Sequence, residues 1–405
     1  MGCTLKVALV HYWLVGMRGG EKVLETFCDI FPDADIFTLV ADPEKMSAKL
    51  QRHKLTTSFL QKIGGRKHYQ KMLPLMPHAL ESLDLTAYDL VISSEAGPAK
   101  GVITRPDALH VCYCHSPMRY IWDLYPQYMG GSSWLARAVL ALTAPILRQW
   151  DVTTSHRVDH FITNSEYVAK RVMKFYRRQA TVIHPPVDVA RFQITPGSKD
   201  YYLCAGQITP YKKTELAVAA CTKMNLPLVV VGDGASPKLK RMAGPTVHFI
   251  GAVSDAQMET YLAGCRALLY PGVEDFGIVP LEAMASGRPV IAFSRGGALE
   301  TVVEGTTGLF FHEQTVEALM AALTSFEKEQ DRFSPAEIRA HAMRFVPSRF
   351  EAELRHFLGG VTGSLRETSR RKMSEEEMRD VRIDRVPQPK EAPVASQPLI
   401  SNFPG

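Results

Sequence analysis

Short apolar runs alternate with amphipathic stretches along the second half of the chain. The runs are rich in Val, Ile, Leu and Phe, and the stretches 214–222, 255–264 and 315–326 between them repeat apolar positions at helical spacing. Strands that are apolar on both faces and joined by helices are typical of a parallel sheet covered on both sides. The pattern therefore predicts a doubly wound α/β domain. Its strands are expected at residues 201–205, 226–231, 247–251, 267–270, 289–293 and 308–311.

The first half of the chain repeats this arrangement more loosely and predicts a second sheet of the same kind. Its strands are expected at residues 6–11, 35–39, 89–93, 109–114, 159–163 and 181–184. The consecutive prolines Pro185 and Pro186 stop both helices and central strands, so we place a connector there. The prediction is one Rossmann-like domain over residues 1–190, called the first half below, and another over residues 191–345, called the second half.

The C-terminal part of the chain changes character twice. Residues 346–362 keep apolar positions at helical spacing, which predicts one more amphipathic helix. From residue 363 to residue 405, charged residues, Pro and Ser dominate over apolar residues, which predicts a disordered tail.

The composition fits a two-domain globular protein in a reducing compartment. The chain has 405 residues, of which 46% are hydrophobic and 22% are charged, and single cores rarely exceed roughly 300 residues. Its seven cysteines are an odd number and lie mostly within apolar runs, so we interpret them as reduced thiols. The first apolar run is too short for a signal peptide, and we expect a cytoplasmic protein.

The basic excess and one long apolar stretch both bear on contact with a membrane surface. The net charge is +5, and residues 1–190 hold 22 Lys and Arg against 17 Asp and Glu. One interpretation is attraction to the inner-membrane surface or to a phosphorylated acceptor, and the other is an ordinary solvated face. Nucleic acid is disfavoured because no set of aromatic residues accompanies the basic ones. Residues 134–150 fall short of the ~20 apolar residues that span a bilayer, which predicts an interfacial or partner-facing helix.

A strand, a loop with a carboxylate and a helix start follow one another in residues 270–287. Glu274 lies in the loop, Pro280 falls at the start of the predicted helix, and Gly287 follows its end, as the usual positions of Pro and Gly suggest. Glu282 is then expected in the first helical turn, at the carboxyl end of a parallel sheet, where open α/β folds bind ligands.

This helix start allows two interpretations of its acidic residues. Free N–H groups near Ile278 favour a phosphate group, in which case Glu282 accepts hydrogen bonds from a ribose diol and Glu274 holds hydroxyls of a sugar. The alternative is that Glu282 only caps its own helix, and the spacing taken alone favours capping.

Three further loops follow predicted strands and carry candidate chemistry. Lys212 and Lys213 precede a helix, where one lysine could neutralise a leaving diphosphate, although adjacent lysines are usually solvated. Gly19 and Gly20 open a helix after the first strand, which makes a second anion-binding start. His115 follows an apolar strand, and its alternative role is that of a structural hydrogen-bonding residue.

Taken in order, these segments resemble family 4 of the glycosyltransferases, the retaining enzymes with the GT-B fold. That fold has two Rossmann-like domains that face a central cleft and a C-terminal helix that packs back toward the first domain. The resemblance covers roughly residues 1–360. Its most specific part is the string Glu274-x7-Glu282 with Phe276-Gly277 inside it, followed by Gly287-x-Pro289-Val290-Ile291 and Gly296-Gly297.

The resemblance implies a nucleotide-sugar site with His115, Lys212 and Glu274 as catalytic residues. It implies that Glu282 holds the donor ribose, that Lys212 carries the charge of the diphosphate, and that Glu274 and His115 lie near the transferred hexose. The implied donor-binding residues are Gly19, Gly20, Gln207, Lys212, Ile250, Gly251, Glu274, Phe276, Gly277, Ile278, Val279 and Glu282.

The subgroup that this chain resembles contains mannosyltransferases of bacterial surface polysaccharide assembly. This resemblance implies GDP-mannose as donor and a polyprenyl-diphosphate-linked or other saccharide as acceptor. One position departs from the pattern, because many members have Arg where this chain has Gln207. Either Lys213 or Arg295 compensates, or the stabilisation of the phosphate rests mainly on Lys212.

The resemblance implies a nucleotide sugar as co-substrate, with no metal and no other cofactor. Asp33-Ala-Asp35 is a D-x-D string, but it precedes a strand away from the predicted donor site, so we interpret it as a turn or strand entry. Two other functions stay open. One is a GT-B sugar-nucleotide 2-epimerase, and the other is a catalytically silent protein that binds nucleotide sugars.

Overall fold

The first half of the chain forms a sheet of seven parallel strands. The computed structural model describes residues 5–131, 133–197 and 200–363. The strands are β1 Val7–His11, β2 Asp35–Thr38, β3 Leu55–Thr57, β4 Leu90–Glu95, β5 Leu109–Cys114, β6 His160–Thr163 and β7 Ala180–Val182. Their order in the sheet is β3-β2-β1-β4-β5-β6-β7, and each neighbouring pair is parallel.

The second half forms a sheet of six parallel strands. They are β8 Tyr202–Ala205, β9 Leu228–Val231, β10 Val247–Gly251, β11 Leu268–Tyr270, β12 Val290–Phe293 and β13 Gly308–Phe311. Their order is β10-β9-β8-β11-β12-β13. In each sheet the first strand of the domain pairs on both sides, β1 with β2 and β4, and β8 with β9 and β11. The chain reverses direction across the sheet at these strands, and ligands bind at the carboxyl ends of such points.

Helices cover the sheets between successive strands. In the first half they are α1 Gly19–Ile30, α2 Ala48–Gln51, α3 Gly65–His68, α4 Met76–Glu81, α5 Tyr125–Gly131, α6 Trp134–Ser155 and α7 Glu166–Tyr176. In the second half they are α8 Thr214–Met224, α9 Pro237–Met242, α10 Asp255–Gly264, α11 Ile278–Ala285, α12 Ala298–Thr301, α13 Val316–Glu329 and α14 Pro335–Ala342.

A last helix begins at residue 347. The ring of its Phe350 contacts the rings of Phe27 and Tyr113, both from the first half, with centroids 6.1 and 5.7 Å away. The C-terminal helix therefore packs back on the first half, as predicted. Both sheets and this contact belong to one compact unit that ends at His356, and residues 357–363 of the second unit are also helical. The tail predicted from residue 363 lies outside the described residues, apart from residue 363 itself.

The α/β prediction is confirmed in both halves, and one strand was missed. All twelve predicted strands are present with ends shifted by a few residues. The additional strand β3 is only three residues long, lies at the edge of the sheet and is half-buried throughout. A short, half-buried edge strand carries no apolar run, so periodicity does not reveal it.

Candidate active site

A cavity of 720 Å³ lies where loops from the two halves meet. Its volume is within the roughly 300–1,000 Å³ that small-molecule sites occupy. The loops after β1 and β5 line it from the first half, and the loop after β11 lines it from the second half together with the start of α11. The predicted site residues in its wall are Gly19, Gly20, His115, Glu274, Phe276, Gly277, Ile278 and Val279.

The loop between β11 and α11 is shaped by close backbone contacts. Gly277 is the N-cap of α11, and the helix begins at Ile278 with no side-chain hydrogen bond to cap it. The loop after β12 supports this loop, because Gly297 N donates to Glu274 O at 2.9 Å. A Cβ on Gly297 would lie 2.3 Å from Phe276 Cα, so only glycine fits there. The arrangement leaves an uncapped helix start in the cavity wall, which is suited to an anion.

Lys212 and Glu274 meet at the end of the second sheet. Lys212 Nζ lies 3.2 Å from Glu274 Oε1, and both side chains are about four-fifths buried. The two residues follow β8 and β11, which are neighbours in the sheet, and both line a second, smaller cavity. The structure thus brings two of the predicted catalytic residues into an ion pair, with Glu274 shared between the two cavities.

Glu282 lies farther along α11 than the sequence predicted. The helix starts at Ile278, so Glu282 is its fifth residue and lies beyond the first turn, and the expectation of a first-turn position was wrong. Because Glu282 lies beyond the first turn, the alternative that it only caps its own helix is excluded as well. Residues in the first turn are the ones that interact with the helix N-terminus. Burial raises the pKa of Glu282 from 4.5 to about 7. Its carboxyl group lines neither of the two cavities, and its role at a ribose stays a prediction.

Three other predicted donor residues also lie outside the two cavity walls. Gln207 is exposed in the loop after β8, Ile250 is 43% exposed, and Gly251 ends β10. The structure does not bring these residues to the cavity that holds Glu274, so their contacts with a donor remain predictions.

His115 is held in the cavity wall as a neutral imidazole. Its Nε2 lies 2.9 Å from Ser94 Oγ, and its backbone N donates to Glu95 O at 2.6 Å. Burial lowers the pKa of His115 to about 3, and the neighbouring His11 acts in the same direction. At neutral pH the ring therefore carries no charge and can only donate or accept a hydrogen bond.

The sequence analysis missed a network centred on Asp275. Arg171 Nη1 donates to Asp275 Oδ1 at 3.0 Å and Arg119 Nε donates to Asp275 Oδ2 at 3.0 Å. Both arginines belong to the first half, and Ser165 Oγ, at the start of α7, donates to Asp275 O at 2.6 Å. Burial opposes the charge of Asp275, but the two guanidinium groups outweigh it and hold its pKa below the usual range. Arg171 also donates to Asp123 Oδ1 at 2.6 Å.

A second carboxylate of the second half binds the first half nearby. Glu300 accepts hydrogen bonds from the backbone N of Glu166 at 2.8 Å and of Tyr167 at 3.1 Å. These are the first amides of α7, where a negative charge is stabilised. The two halves are also close at the cavity, since a Cβ on Gly19 would lie 2.8 Å from Ile278 Cδ1. The cavity wall is therefore assembled by ion pairs between the halves as well as by the motifs.

The structure shows which basic side chain besides Lys212 lies close enough to the cavities to act as a second cation. Lys213 Nζ lies 3.7 Å from Glu215 Oε1, and Lys213 lines neither cavity. Arg295 is exposed and also lines neither. Arg119, which was not considered from the sequence, lines the large cavity. No local pattern marks it, because its partner Asp275 is 156 residues away in the chain.

Three other expectations concern residues away from the cavity. Asp35 begins β2 and accepts a hydrogen bond from the hydroxyl of Tyr88, which supports a strand-entry role for the D-x-D string. Within the ranges that the structure describes, no group of three or more His, Cys, Asp and Glu side chains is arranged to hold a metal ion. Six cysteines are buried free thiols, and Cys3 lies outside the described residues.

Residues 134–150 fall within α6, the 22-residue helix Trp134–Ser155. Its Ala144 and Leu147 are buried, whereas Trp134, Leu142 and Ile146 are more than half exposed. In the part of the chain that the structure describes, no helix is both long and apolar enough to cross a membrane. The helix is thus anchored on one side and presents an apolar face on the other.

Comparison with known proteins relates this architecture to enzymes. Residues 17–191 match the family model described as Glycosyltransferase Family 4, and residues 188–343 match that of Glycosyl transferases group 1. The chain is 32% identical over 154 residues to a GDP-mannose-dependent alpha-mannosyltransferase of Mycolicibacterium smegmatis, covering 38% of this chain and 41% of the relative. It is 26% identical over 258 residues to the alpha-1,3/1,6-mannosyltransferase ALG2 of Kluyveromyces lactis, covering 50% of this chain and 49% of the relative.

The chain thus spans about half the length of these curated relatives or less. Among solved structures, it resembles Anabaena HepE in complex with UDP and glucose, with a TM-score of 0.65 and 16% identity over 88% of this chain and 100% of that one. At that identity the likeness shows the fold alone, and the fold is GT-B. With two adjoining family models that match residues 17–343, the chain belongs to family 4 of the glycosyltransferases.

Proposed function

We propose that this protein is a retaining glycosyltransferase that transfers mannose from GDP-mannose to a saccharide acceptor. The observation that carries the proposal is the Lys212–Glu274 ion pair, whose carboxylate lines the cavity between the two Rossmann-like halves beside an uncapped helix start. A cation and free amides suit a diphosphate, and a carboxylate suits sugar hydroxyls. The similarity to a GDP-mannose-dependent enzyme and to ALG2 supports mannose as the sugar.

The proposed reaction is a displacement on one face of the sugar. The bond between the anomeric carbon and the phosphate oxygen breaks, GDP leaves, and the acceptor oxygen bonds to the same face while its proton passes to the leaving phosphate. Lys212 and the first amides of α11 stabilise the charge that grows on the diphosphate. Glu274 holds the hexose hydroxyls, and His115 contributes a neutral hydrogen-bonding group because its pKa is about 3. Exclusion of water from the cavity protects the donor from hydrolysis.

The acceptor is proposed to be a lipid-linked oligosaccharide of bacterial surface polysaccharide assembly, at the cytoplasmic face of the inner membrane. The support is a surface that combines basic and apolar side chains, which we call the basic–apolar surface. Leu73 from the 62–75 segment and Leu140 from α6 line the same cavity and pack in one cluster, so the two segments adjoin. The exposed members of this surface are Lys62, Ile63, Lys67, Lys71, Leu75, Trp134, Leu135, Leu142 and Ile146. Apolar side chains beside lysines suit an anionic lipid surface.

The membrane part of the proposal is tested by vesicle flotation. Leu142→Asp with Ile146→Asp removes exposed apolar area from α6 and should reduce the fraction of protein bound to vesicles that contain anionic lipid. Gln149→Asp with Thr153→Asp, at two exposed polar positions of the same helix, adds the same two charges without that loss and is the matched control. Equal binding of both variants would remove α6 from this role.

The transfer reaction is tested with a panel of donors. GDP-mannose, other GDP-sugars and UDP-sugars are incubated with lipid-linked acceptors, with and without excess chelator. Release of GDP together with a mannosylated acceptor is expected, at the same rate in chelator because we propose that the reaction needs no metal or other cofactor. Epimerised sugar without a mannosylated acceptor would favour a 2-epimerase. Donor binding without turnover would favour a silent nucleotide-sugar-binding protein.

A further inference from the structure

Arg119 is the one Lys or Arg among the described residues that line the large cavity. It lies four positions after His115, in the loop that follows β5. Its side chain is 19% exposed, so the guanidinium is largely withdrawn from solvent while its residue remains part of the cavity wall. A cation in such a place exerts a stronger field on a bound anion than one on the open surface.

The guanidinium of Arg119 is fixed along one edge. Its Nε donates to Asp275 Oδ2 at 3.0 Å and to Ser116 Oγ at 3.2 Å, and its Nη2 also donates to Asp275. No described residue accepts a hydrogen bond from Nη1 in the ranges 5–131, 133–197 and 200–363. The planar group is also 5.0 Å from the centre of the Tyr211 ring. Arg119 therefore has a set orientation and unused donors, which is the preorganised state that favours anion binding.

The charges behind Arg119 form an alternating series. Arg119 pairs with Asp275, Asp275 pairs with Arg171, and Arg171 pairs with Asp123. The series is neutral as a whole, but its positive end belongs to the cavity wall, whereas its negative end, Asp123, is 34% exposed. Arg171 is buried and does not line the cavity. Asp275 also lines the cavity, but both of its carboxylate oxygens accept hydrogen bonds from the two arginines. The remaining donors of Arg119 therefore stay available to an anion in the cavity.

Arg119 is also close to the loop of the second half that carries Lys212. Tyr211, against which Arg119 packs, directly precedes Lys212 in the chain and lines the large cavity. Burial lowers the pKa of Arg119, but the negative charge of Asp275 and, to a smaller extent, that of Glu274 raise it, with a net increase. A diphosphate placed between the two halves could thus contact one cation from each.

We propose that Arg119 binds the diphosphate of the nucleotide sugar from the first half, opposite Lys212. The proposal rests on the proposed function. Through Nη1 the guanidinium donates to a non-bridging phosphate oxygen, while Nε and Nη2 keep their bonds to Asp275. Donor binding and the contact between the halves then depend on the same side chain. As the bond to the anomeric carbon breaks, the charge on the leaving diphosphate grows and this hydrogen bond strengthens.

The test compares Arg119→Lys with Arg171→Lys by calorimetric titration of GDP and GMP and by mannosyl transfer. Both variants keep a positive charge for Asp275, so both are expected to fold, and thermal melting verifies this. A lysine cannot contact Asp275 and a phosphate through a planar fork. Arg119→Lys should therefore weaken GDP binding by about 10- to 100-fold, with a smaller effect on GMP, and should lower kcat. Arg171→Lys should leave GDP affinity within about twofold.

Two results would overturn the inference. Equal losses of GDP affinity in both variants would mean that Arg119 acts only through the contact between the halves. Unchanged GDP affinity and kcat in Arg119→Lys, with an active wild type, would remove Arg119 from the donor site and leave the proposed function intact. A wild type that binds no nucleoside diphosphate and transfers no sugar would instead refute the proposed function, and the role of Arg119 with it.

Discussion

The two walls of the cavity are built by different means. The wall from the second half is built mainly from a short motif, in which a strand end, Gly277 and a helix start lie within a few residues of one another, between Tyr270 and Ile278. The wall from the first half depends on side chains such as Arg119 and Arg171, whose partner Asp275 is 156 and 104 residues away in the chain. A helix start suited to an anion can thus be encoded locally, whereas the contact between the halves requires the folded protein.

Burial favours the neutral form of one titratable group in each half of the molecule. It raises the pKa of Glu282 to about 7 and lowers that of His115 to about 3, in each case favouring the neutral form. Asp275 differs because two arginines of the first half contact its carboxylate and keep it ionised. The charge of Asp275 therefore persists because the first half supplies the opposite charges.

The largest expected effect comes from breaking the link between the walls. Asp275→Ala leaves Arg119 and Arg171 without their shared carboxylate, and loss of one member of a buried ion pair costs about 3–5 kcal/mol. Urea unfolding should show this decrease in the free energy of unfolding. Asp123→Ala is the control, because Asp123 is 34% exposed and its removal should cost roughly 1 kcal/mol. Similar decreases in the free energy of unfolding in the two variants would show that Asp275 does not hold the two halves together.

The next largest effect is expected in the wall from the second half. Lys212→Ala should lower kcat by about 10²–10³, as the loss of one preorganised charge-stabilising group does, while the melting temperature changes little. Steady-state mannosyl transfer measures the effect. Lys213→Ala removes the adjacent lysine, which lies near Glu215 and outside both cavities, and should retain near wild-type kcat. A kcat for Lys212→Ala close to that of the control would exclude Lys212 from the reaction.

Glu282→Ala is expected to act mainly on donor binding. Contacts with a ribose are shared by the ground state and the transition state, so the donor KM should rise by about tenfold while kcat changes less. The control Glu259→Ala removes another carboxylate of the second half, which pairs with Arg191, and should leave the KM near that of the wild type. An unchanged KM in Glu282→Ala would show that the ribose is bound elsewhere.

The smallest effect is a pH dependence of stability that comes from Glu282. Because its pKa rises from 4.5 to about 7 on folding, the folded protein binds more protons between these values, and stability falls as the pH rises through this interval. Glu282→Gln removes that dependence. The variant should therefore melt at a higher temperature than the wild type above pH 7, and the difference should disappear below pH 4.5. A constant difference across this range would mean that the carboxyl group is not buried.

The fold and the motif loops could be predicted from sequence because their signals are local. Twelve strands and the loop with Glu274 were found from apolar runs and from the positions of Pro and Gly. The half-buried edge strand Leu55–Thr57 was missed, since it has no such run. The turn of α11 that holds Glu282 was predicted wrongly, because Pro280 is compatible with any position of the first turn and does not fix where the helix begins.

The sequence by itself determined two doubly wound sheets and the string of residues that resembles family 4 of the glycosyltransferases. Backbone amides at a helix start and a glycine turn depend on neighbours in the chain, so their chemistry can be recognised in a linear pattern. Only the tertiary structure decided which side chains complete the site. It joined Asp275 to Arg119 and Arg171 and placed Lys212 3.2 Å from Glu274. The physical reason is that an ion pair depends on distance in space, which the separation along the chain does not encode.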